Sequence, residues 1–525
     1  MMAPADDSAG PIHNPGADCW WIAAASVLVV AVTTLPYLLA YHVPPDHVFT
    51  GILVNPADGN SYLAKMREGW LGSWLFTLPY TAAPGPGVFI FTYYLLLGHL
   101  ARWTGASLDL VYQLARAVGG LAMLLSAYAF IERVCDSRAW RVCAWLFFAI
   151  GSGLGWLAVA FGGFTSDLWV AEAIPFLAVF VNAHFALATA LLLWIFIWTV
   201  PGISTGAVSA TRLVLIALAT TALGQVQPLA LLSIGLTLAG ILAWLLLQKR
   251  LTWPILLPAL VCGLFAAPWV LYDAAVSYLH PILAQWSAQN FTPSPPLADL
   301  ALSGGVLLLL ALPGAAIAAR RRSDRDMALL IWLGLGGLAL YAPFALQRRL
   351  SLGLWMPLAL LATVGLQFAI WPRLSRAWRP LVLALIAVLV LPSNLLVYAA
   401  TLGAVQRRDP ALFLTQAEWS AVAWLAVHAD PGAIVAASPD MSLIIPARTS
   451  ARVVYGHPFE TVAAAAHRQA VEDFYSGRMP AAEFVHEYNV SFVVWGGRER
   501  ALSSTLPATG WRQAFAQGEV VIYAP

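Results

Sequence analysis

GVFIFTYYLLLGHLA, residues 87–101, decides how this chain lies in a membrane. Counted as a crossing it gives twelve spans, and counted as a surface helix it leaves eleven and moves everything before it to the opposite side. The stretch has about 15 residues, whereas a bilayer core needs about 20. It also follows TAAPGPG (81–87), a Gly/Pro-rich loop. The expectation is therefore a helix laid along the interface, not a span.

Composition supports the membrane context. Of 525 residues, 60% are hydrophobic and 10% charged, and the mean hydropathy is +0.75, far from the balance of a soluble domain. A net charge of +2, with no basic run interleaved with aromatics, gives no footprint for nucleic acid, which is set aside as a partner. Cys19, Cys135, Cys143 and Cys262 lie in or beside apolar segments without CxxC spacing and read as small buried side chains. The first 18 residues contain no Lys or Arg. They lack the basic start of a cleaved signal peptide, so 1–18 is expected to be a tail and 19–41 a retained first span.

Eleven apolar stretches qualify as spans: 19–41, 108–131, 139–162, 183–201, 211–227, 229–247, 253–274, 299–318, 327–345, 351–371 and 380–402. With that count, thirteen Lys and Arg residues fall on one side: Arg133, Arg138, Arg141, Arg212, Lys249, Arg250, Arg320, Arg321, Arg322, Arg325, Arg373, Arg376 and Arg379. The intervening loops 163–182 and 275–298, and the turn near Pro228, carry none. Basic loops mark the cytoplasmic side, so the N-terminus is expected inside, and segment 42–107 outside with everything beyond residue 402. The exception is Arg348–Arg349, on the short outer loop 346–350. The twelve-span alternative puts the N-terminus outside and moves Asp58 to the cytoplasm, away from that pair.

On the eleven-span reading, polar residues gather at the outer ends of the spans: Asp58 in NPADGNSYLAKMREGW (55–70), Arg116, Asp167, Glu172, His184, Gln225, Gln227, Asp273, His280, Arg348 and Arg349. Ionisable groups at membrane depth usually face a cavity or a partner. Each also has a structural reading. Asp58 suits a turn or a helix N-terminus. His184 suits a satisfied buried histidine, and the two glutamines suit inter-helix hydrogen bonding. Arg116 is within reach of Asp109 or of the interface. The arginine pair is harder to account for structurally, and two outer guanidiniums suit a phosphate. Loop 275–298 carries Tyr278, Trp286 and Phe291, faces that can stack on a sugar or sit among headgroups.

This layout resembles the C-type (GT-C) membrane glycosyltransferases that use polyprenyl-phosphate sugars. That family has an inside N-terminus, a large first outer loop with an acidic residue after the first span, and juxtamembrane helices. Residues 42–107 match that plan, with Asp58 in the acidic position. The resemblance covers roughly 19–402 and departs from related patterns in having no Asp-x-Asp or Asp-Glu pair in the first loop. It implies a lipid-linked sugar donor, a glycan, lipid or protein acceptor, and transfer at the outer face of a bacterial cytoplasmic membrane. It also implies Asp58 as general base and Arg348 and Arg349 on the donor phosphate, with Arg116 as a further candidate. Glu172 and His184 would position acceptor or metal. Gln225, Gln227, His280 and Trp286 complete the expected binding set. If a divalent cation such as Mg or Mn takes part, Asp58, Glu172 and His184 are its candidate ligands.

Beyond 402 the pattern changes to a small α/β domain, 403–525. TQAEWSAVAWLAVHA (415–429), 460–476 and 480–488 read as helices, and AIVAA, SLIIP, ARVVY, SFVVWG and EVVIYA as strands. GHPFET (456–461) falls between a strand and a helix, where Glu460 or Thr461 would cap the helix, with acceptor contact as the functional alternative. No nucleophile elbow, phosphate loop or zinc cluster is present in the sequence. The competing functions are a lipid or solute transporter (flippase) and a non-catalytic membrane scaffold. A transporter more often shows paired halves with midplane polar groups, and a scaffold has no need of an acid facing an arginine pair.

Overall fold

The computed structural model describes residues 15–503, 505–506 and 510–525, with side chains from Trp20 onward. Most of the expected tail, and the side chain of Cys19, lie outside the described residues. Among those described, six helices are long and apolar enough to cross a membrane: Trp20–Tyr41, Leu108–Val134, Leu229–Leu247, Trp253–Leu279, Leu297–Arg321 and Trp355–Arg373. A seventh span results if Trp378–Val390 and Pro392–Arg407, bent by 44° at their junction, count as one.

The expectation of eleven is therefore not met by length and composition. Ala183–Thr199 and Ala210–Val226 are apolar but have 17 residues each, and Asp324–Ala339 has 16. Stretch 139–162 splits into Arg138–Ala149 and Gly155–Ala160. The split follows from close packing: a Cβ on Gly153 would lie 2.3 Å from the Ser303 carbonyl oxygen. Across from it, Gly305 has φ 49° and kinks the Leu297–Arg321 helix, a conformation that glycine adopts at little cost. Hydropathy averages do not register such breaks.

Residues 87–101 hold no helix of spanning length. The helix there, Thr92–Thr104, has 13 residues. It buries Tyr94, Leu95, Leu97 and Gly98 against the protein and leaves Leu96, Leu100 and Trp103 exposed.

Strand β1 (His47–Phe49) pairs antiparallel with β2 (Phe413–Thr415), Phe49 opposite Phe413, and so ties the chain after the first span to the C-terminal region. There β3 (Ile434–Ala436), β4 (Arg452–Val453), β5 (Val490–Trp495), β6 (Arg512–Gln517) and β7 (Val520–Ala524) form one sheet in the order β4-β3-β5-β7-β6. β3 is parallel to both neighbours, and β7 is antiparallel to β5 and β6. The Gln416–His428 helix starts with a capping box in which Thr415 and Glu418 satisfy each other's backbone N–H. SLIIP, expected as a strand, lies inside the helix Pro439–Arg448. Pro439 sits at its first turn, where proline's missing N–H costs nothing, and a short apolar run does not by itself separate helix from strand.

The molecule has two chemically distinct ends. Leu108–Val134, Leu229–Leu247 and Leu297–Arg321 all finish near one cluster, in which Arg250 pairs with Asp324 at 2.8 Å and Arg325 with Asp136 at 3.2 Å. At their other ends Asp109 holds Arg448 of the C-terminal region through two bonds of 2.6 and 2.8 Å, and Leu229 and Pro296 line a cavity.

Candidate functional site

The cavity, of about 770 Å³, lies between the spans, the first-loop helix and the C-terminal layer. That is the size of a pocket for a sugar-phosphate or similar ligand. Asn55 caps the Pro56–Leu71 helix in a left-handed conformation, and Pro56 occupies its first turn. The i, i+4, i+7 spacing then puts Asp58, Tyr62 and Lys65 on one face, and all three line the cavity.

Asp58 is a first-turn carboxylate whose backbone N–H donates weakly to Asn55 at 3.4 Å, and a helix N-terminus favours its charge. The Asn55 amide donates to Asp58 Oδ2 at 2.6 Å. Nε2 of His457 stands 3.7 Å from Oδ1, in ion-pair range but longer than a hydrogen bond. Burial pushes the Asp58 carboxyl up, but His457, Arg349 and Lys65 more than offset it, and the net displacement is downward. The group is a carboxylate at neutral pH.

Lys65 is fully buried. Its ammonium donates to Ser61 and to Glu460 Oε1 and lies 4.4 Å over the Phe91 ring. Burial raises the Glu460 carboxyl, but Lys65, with His457 and Ser61, lowers it by more, so Glu460 sits below its usual range. Glu460 Oε2 has no partner.

Across the cavity, the short turn Gln347–Ser351 carries Arg348 and Arg349. Arg348 Nε donates to Glu172 Oε1 at 3.0 Å and lies 4.6 Å over the Trp169 ring. Arg349 stands 3.9 Å from the same oxygen. One carboxylate thus orients two guanidiniums, and the cavity keeps a cationic side.

Of the residues named from sequence, Asp58, His184, Gln225, Gln227, Asp273, Trp286, Phe291, Arg348, Arg349 and Glu460 line this cavity. His184 Nδ1 is 2.7 Å from the Tyr94 hydroxyl, and Tyr94 stacks on Tyr62 with ring centroids 4.5 Å apart. Glu172 stands behind the arginine pair. Arg116 is buried away from the cavity, donating to Gln113, the Val179 carbonyl and Thr34. Rather than facing the cavity, His280 fastens a loop: its Nε2 is 3.0 Å from the Pro86 carbonyl, and its Nδ1 accepts from the Ile282 and Leu283 N–H groups. Asp167 is buried and accepts from Thr165 at 2.6 Å and the Gly155 N–H at 3.1 Å.

Among the described residues no three His, Cys, Asp or Glu side chains converge to hold a metal ion. Asp58, Glu172 and His184 turn to Asn55, Arg348 and Tyr94 respectively. The residues present therefore do not fit a three-ligand cation site.

Sequence reasoning missed His457 and left Glu460 as a helix cap. The following helix, Ala464–Tyr475, is capped by neither Glu460 nor Thr461. The Thr461 hydroxyl instead accepts from the N–H groups of Gly456 and His457, and His457 Nδ1 accepts from those of Phe459 and Glu460. The one available signal was GHPFET itself, a polar run between two apolar segments.

Spans, first-loop helices and a C-terminal α/β layer surround one cavity, and this fold is similar to that of solved structures. No protein-family model and no curated protein sequence matches the chain. Solved structures do. ArnT from Cupriavidus metallidurans in the apo state is 15% identical, with 97% of this chain and 98% of that chain covered and a TM-score of 0.55. The same protein bound to undecaprenyl phosphate gives 16% and 0.51, with 95% and 97% covered. The Archaeoglobus fulgidus oligosaccharyltransferase tethered with an acceptor peptide is 15% identical, with 90% of this chain and 69% of that chain covered and a TM-score of 0.53. At these identities the likeness is one of fold.

Proposed function

We propose that the protein is a membrane glycosyltransferase moving a sugar from a polyprenyl-phosphate donor to an acceptor hydroxyl at the outer face of a bacterial cytoplasmic membrane. The observation that carries this reading is one cavity whose lining includes the Asp58 carboxylate on the first-loop helix and the guanidiniums of Arg348 and Arg349. The fold it shares with ArnT and the oligosaccharyltransferase supports a lipid-linked donor. The basic cluster at the opposite end of the spans supports the orientation.

Asp58 orients the acceptor hydroxyl and takes its proton. A bond forms between the acceptor oxygen and the anomeric carbon as the bond from that carbon to the phosphate oxygen breaks. The polyprenyl phosphate leaves with the electron pair and one more negative charge, which Arg348 and Arg349 stabilise. Trp286 and Trp169 offer faces for the sugar ring.

The test is turnover of a polyprenyl-phosphate-linked sugar by purified protein, read as release of the free lipid phosphate. With Arg348 and Arg349 both changed to Gln, kcat/KM for the donor is expected to fall about 100-fold or more, since charge-assisted bonds are the stronger kind. A double variant that turns over donor as the unaltered protein does contradicts the assignment.

A further inference from the structure

We propose that His457 of the C-terminal layer is a positioning residue for Asp58, whose Nε2–H fixes the carboxylate in the orientation that receives the acceptor proton. This rests on the transfer reading above and assigns a role in it to a residue 399 positions away in the chain.

The hydrogen bonds settle which nitrogen faces Asp58 with a proton. Nδ1 accepts two backbone N–H groups, from Phe459 and Glu460, each at 3.1 Å. The ring proton is therefore on Nε2. Those two bonds account for Nδ1 completely and leave Nε2 as a buried nitrogen with no hydrogen-bond partner. The carboxylate oxygen nearest to it is Asp58 Oδ1, at 3.7 Å. A histidine that only closed its own loop would gain nothing by aiming a buried N–H at a carboxylate, because an unmade buried bond is costly. Catalytic hydrogen bonds are often long before substrate binds and tighten when it does.

The loop is held in place from several directions. Thr461 closes it from inside. Gln289 clasps it from the cavity side, donating to the Thr461 carbonyl at 2.6 Å and accepting from the Ala463 N–H at 2.9 Å. Thr81 of the first loop accepts from the Val462 N–H at 3.1 Å. At its start Gly456 packs so closely that a Cβ would meet the Ser442 carbonyl and the Tyr80 ring, each at 2.7 Å. Asp58 is thus held at Oδ2 by Asn55 of its own helix cap, and its Oδ1 faces a histidine of the C-terminal layer at 3.7 Å.

The charged and titratable groups that face Asp58 are His457 from this loop, Arg349 from the 347–351 turn and Lys65 from its own helix. Tyr62 and Tyr94 also sense its charge, as does His184. Glu460 is engaged with Lys65. Of these groups His457 contributes most to holding the carboxyl down. Removing its donor therefore raises the pH below which the base is protonated and idle, and moves the acid limb of the rate profile upward.

Two substitutions separate positioning from loop closure. In His457→Gln the amide nitrogen replaces Nε2, whereas in His457→Asn the amide oxygen replaces Nδ1 and nothing reaches Asp58. We expect the Gln variant to keep kcat within a few-fold. The Asn variant should lose about 10- to 100-fold in kcat with donor KM nearly unchanged, and its acid limb should move to higher pH. The reverse order, equal losses in both, or an unmoved acid limb in the Asn variant overturns the proposal. In the unsubstituted protein, infrared difference spectra can follow the carboxyl band that Asp58→Asn removes. Titration below the ordinary carboxylate range is expected, and titration at or above it also overturns the proposal. If Asp58→Asn remains active, the reading of Asp58 as base has failed. If that variant is inactive while the His457 variants match the unaltered protein, only the positioning role has failed.

Discussion

Glu68 and Asp58 lie on the same helix and show how burial acts differently on two carboxyls. Asp58 has cations and an N–H before it and is held down. Glu68, which accepts from the Thr77 N–H at 2.9 Å and from its hydroxyl, has too little compensation, and burial lifts it to about 7. Its folded state favours the protonated form, so between the ordinary 4.5 and about 7 the folded chain binds more protons than the unfolded one. Stability from this group is full below that window and is lost as pH rises through it. Glu68→Gln should therefore raise stability at pH 8 by about 1–3 kcal/mol and leave it unchanged at pH 4. Thermal unfolding in detergent at the two pH values checks this, and an equal effect at both contradicts it. Asp58 could be read from sequence because an acid three residues after Asn55, in Asn-Pro-Ala-Asp, is a local pattern. His457 could not, because its relation to Asp58 exists only once the C-terminal layer has docked.

At the scale of elements, the first-loop helices Pro56–Leu71 and Thr92–Thr104 are the platform for Asp58, Tyr62 and Lys65, and they cross backbone to backbone. A Cβ on Gly98 would lie 1.9 Å from the Met66 carbonyl oxygen, and one on Gly69 would lie 2.1 Å from that of Leu95. Gly98→Ala must push the helices apart, at a cost of about 1–3 kcal/mol. Gly235→Ala, in a helix where a Cβ meets nothing, should be neutral or slightly stabilising. Equal unfolding temperatures for the two variants would refute the close crossing. The sequence marked 87–101 as too short to span, but glycine spacing alone did not show which helix the Thr92–Thr104 helix would meet. Likewise the apolar run at 139–162 looked like one span because hydropathy is blind to Gly153 packing on Ser303. SLIIP looked like a strand because its helix is set by the proline before it.

On the scale of the whole molecule, two of the basic residues that the sequence puts on one side, Arg250 and Arg325, pair with Asp324 and Asp136 at the end opposite the cavity and the Asp109–Arg448 pair. The count of spans was hard to read from sequence, because it depends on breaks that only packing reveals. The cavity joins three distant stretches of chain: the first loop, the 347–351 turn and the GHPFET loop. Each is ordinary alone, and together they set an acid opposite two guanidiniums. Transfer to an acceptor hydroxyl needs the acid, whereas holding the lipid phosphate needs only the cations. The two can be separated in one preparation. Asp58→Asn, assayed with a polyprenyl-phosphate-linked sugar, should bind the lipid phosphate as the unaltered protein does while its transfer rate falls by about 100-fold or more, the scale of a lost general base. Transfer at an undiminished rate by that variant would contradict the account.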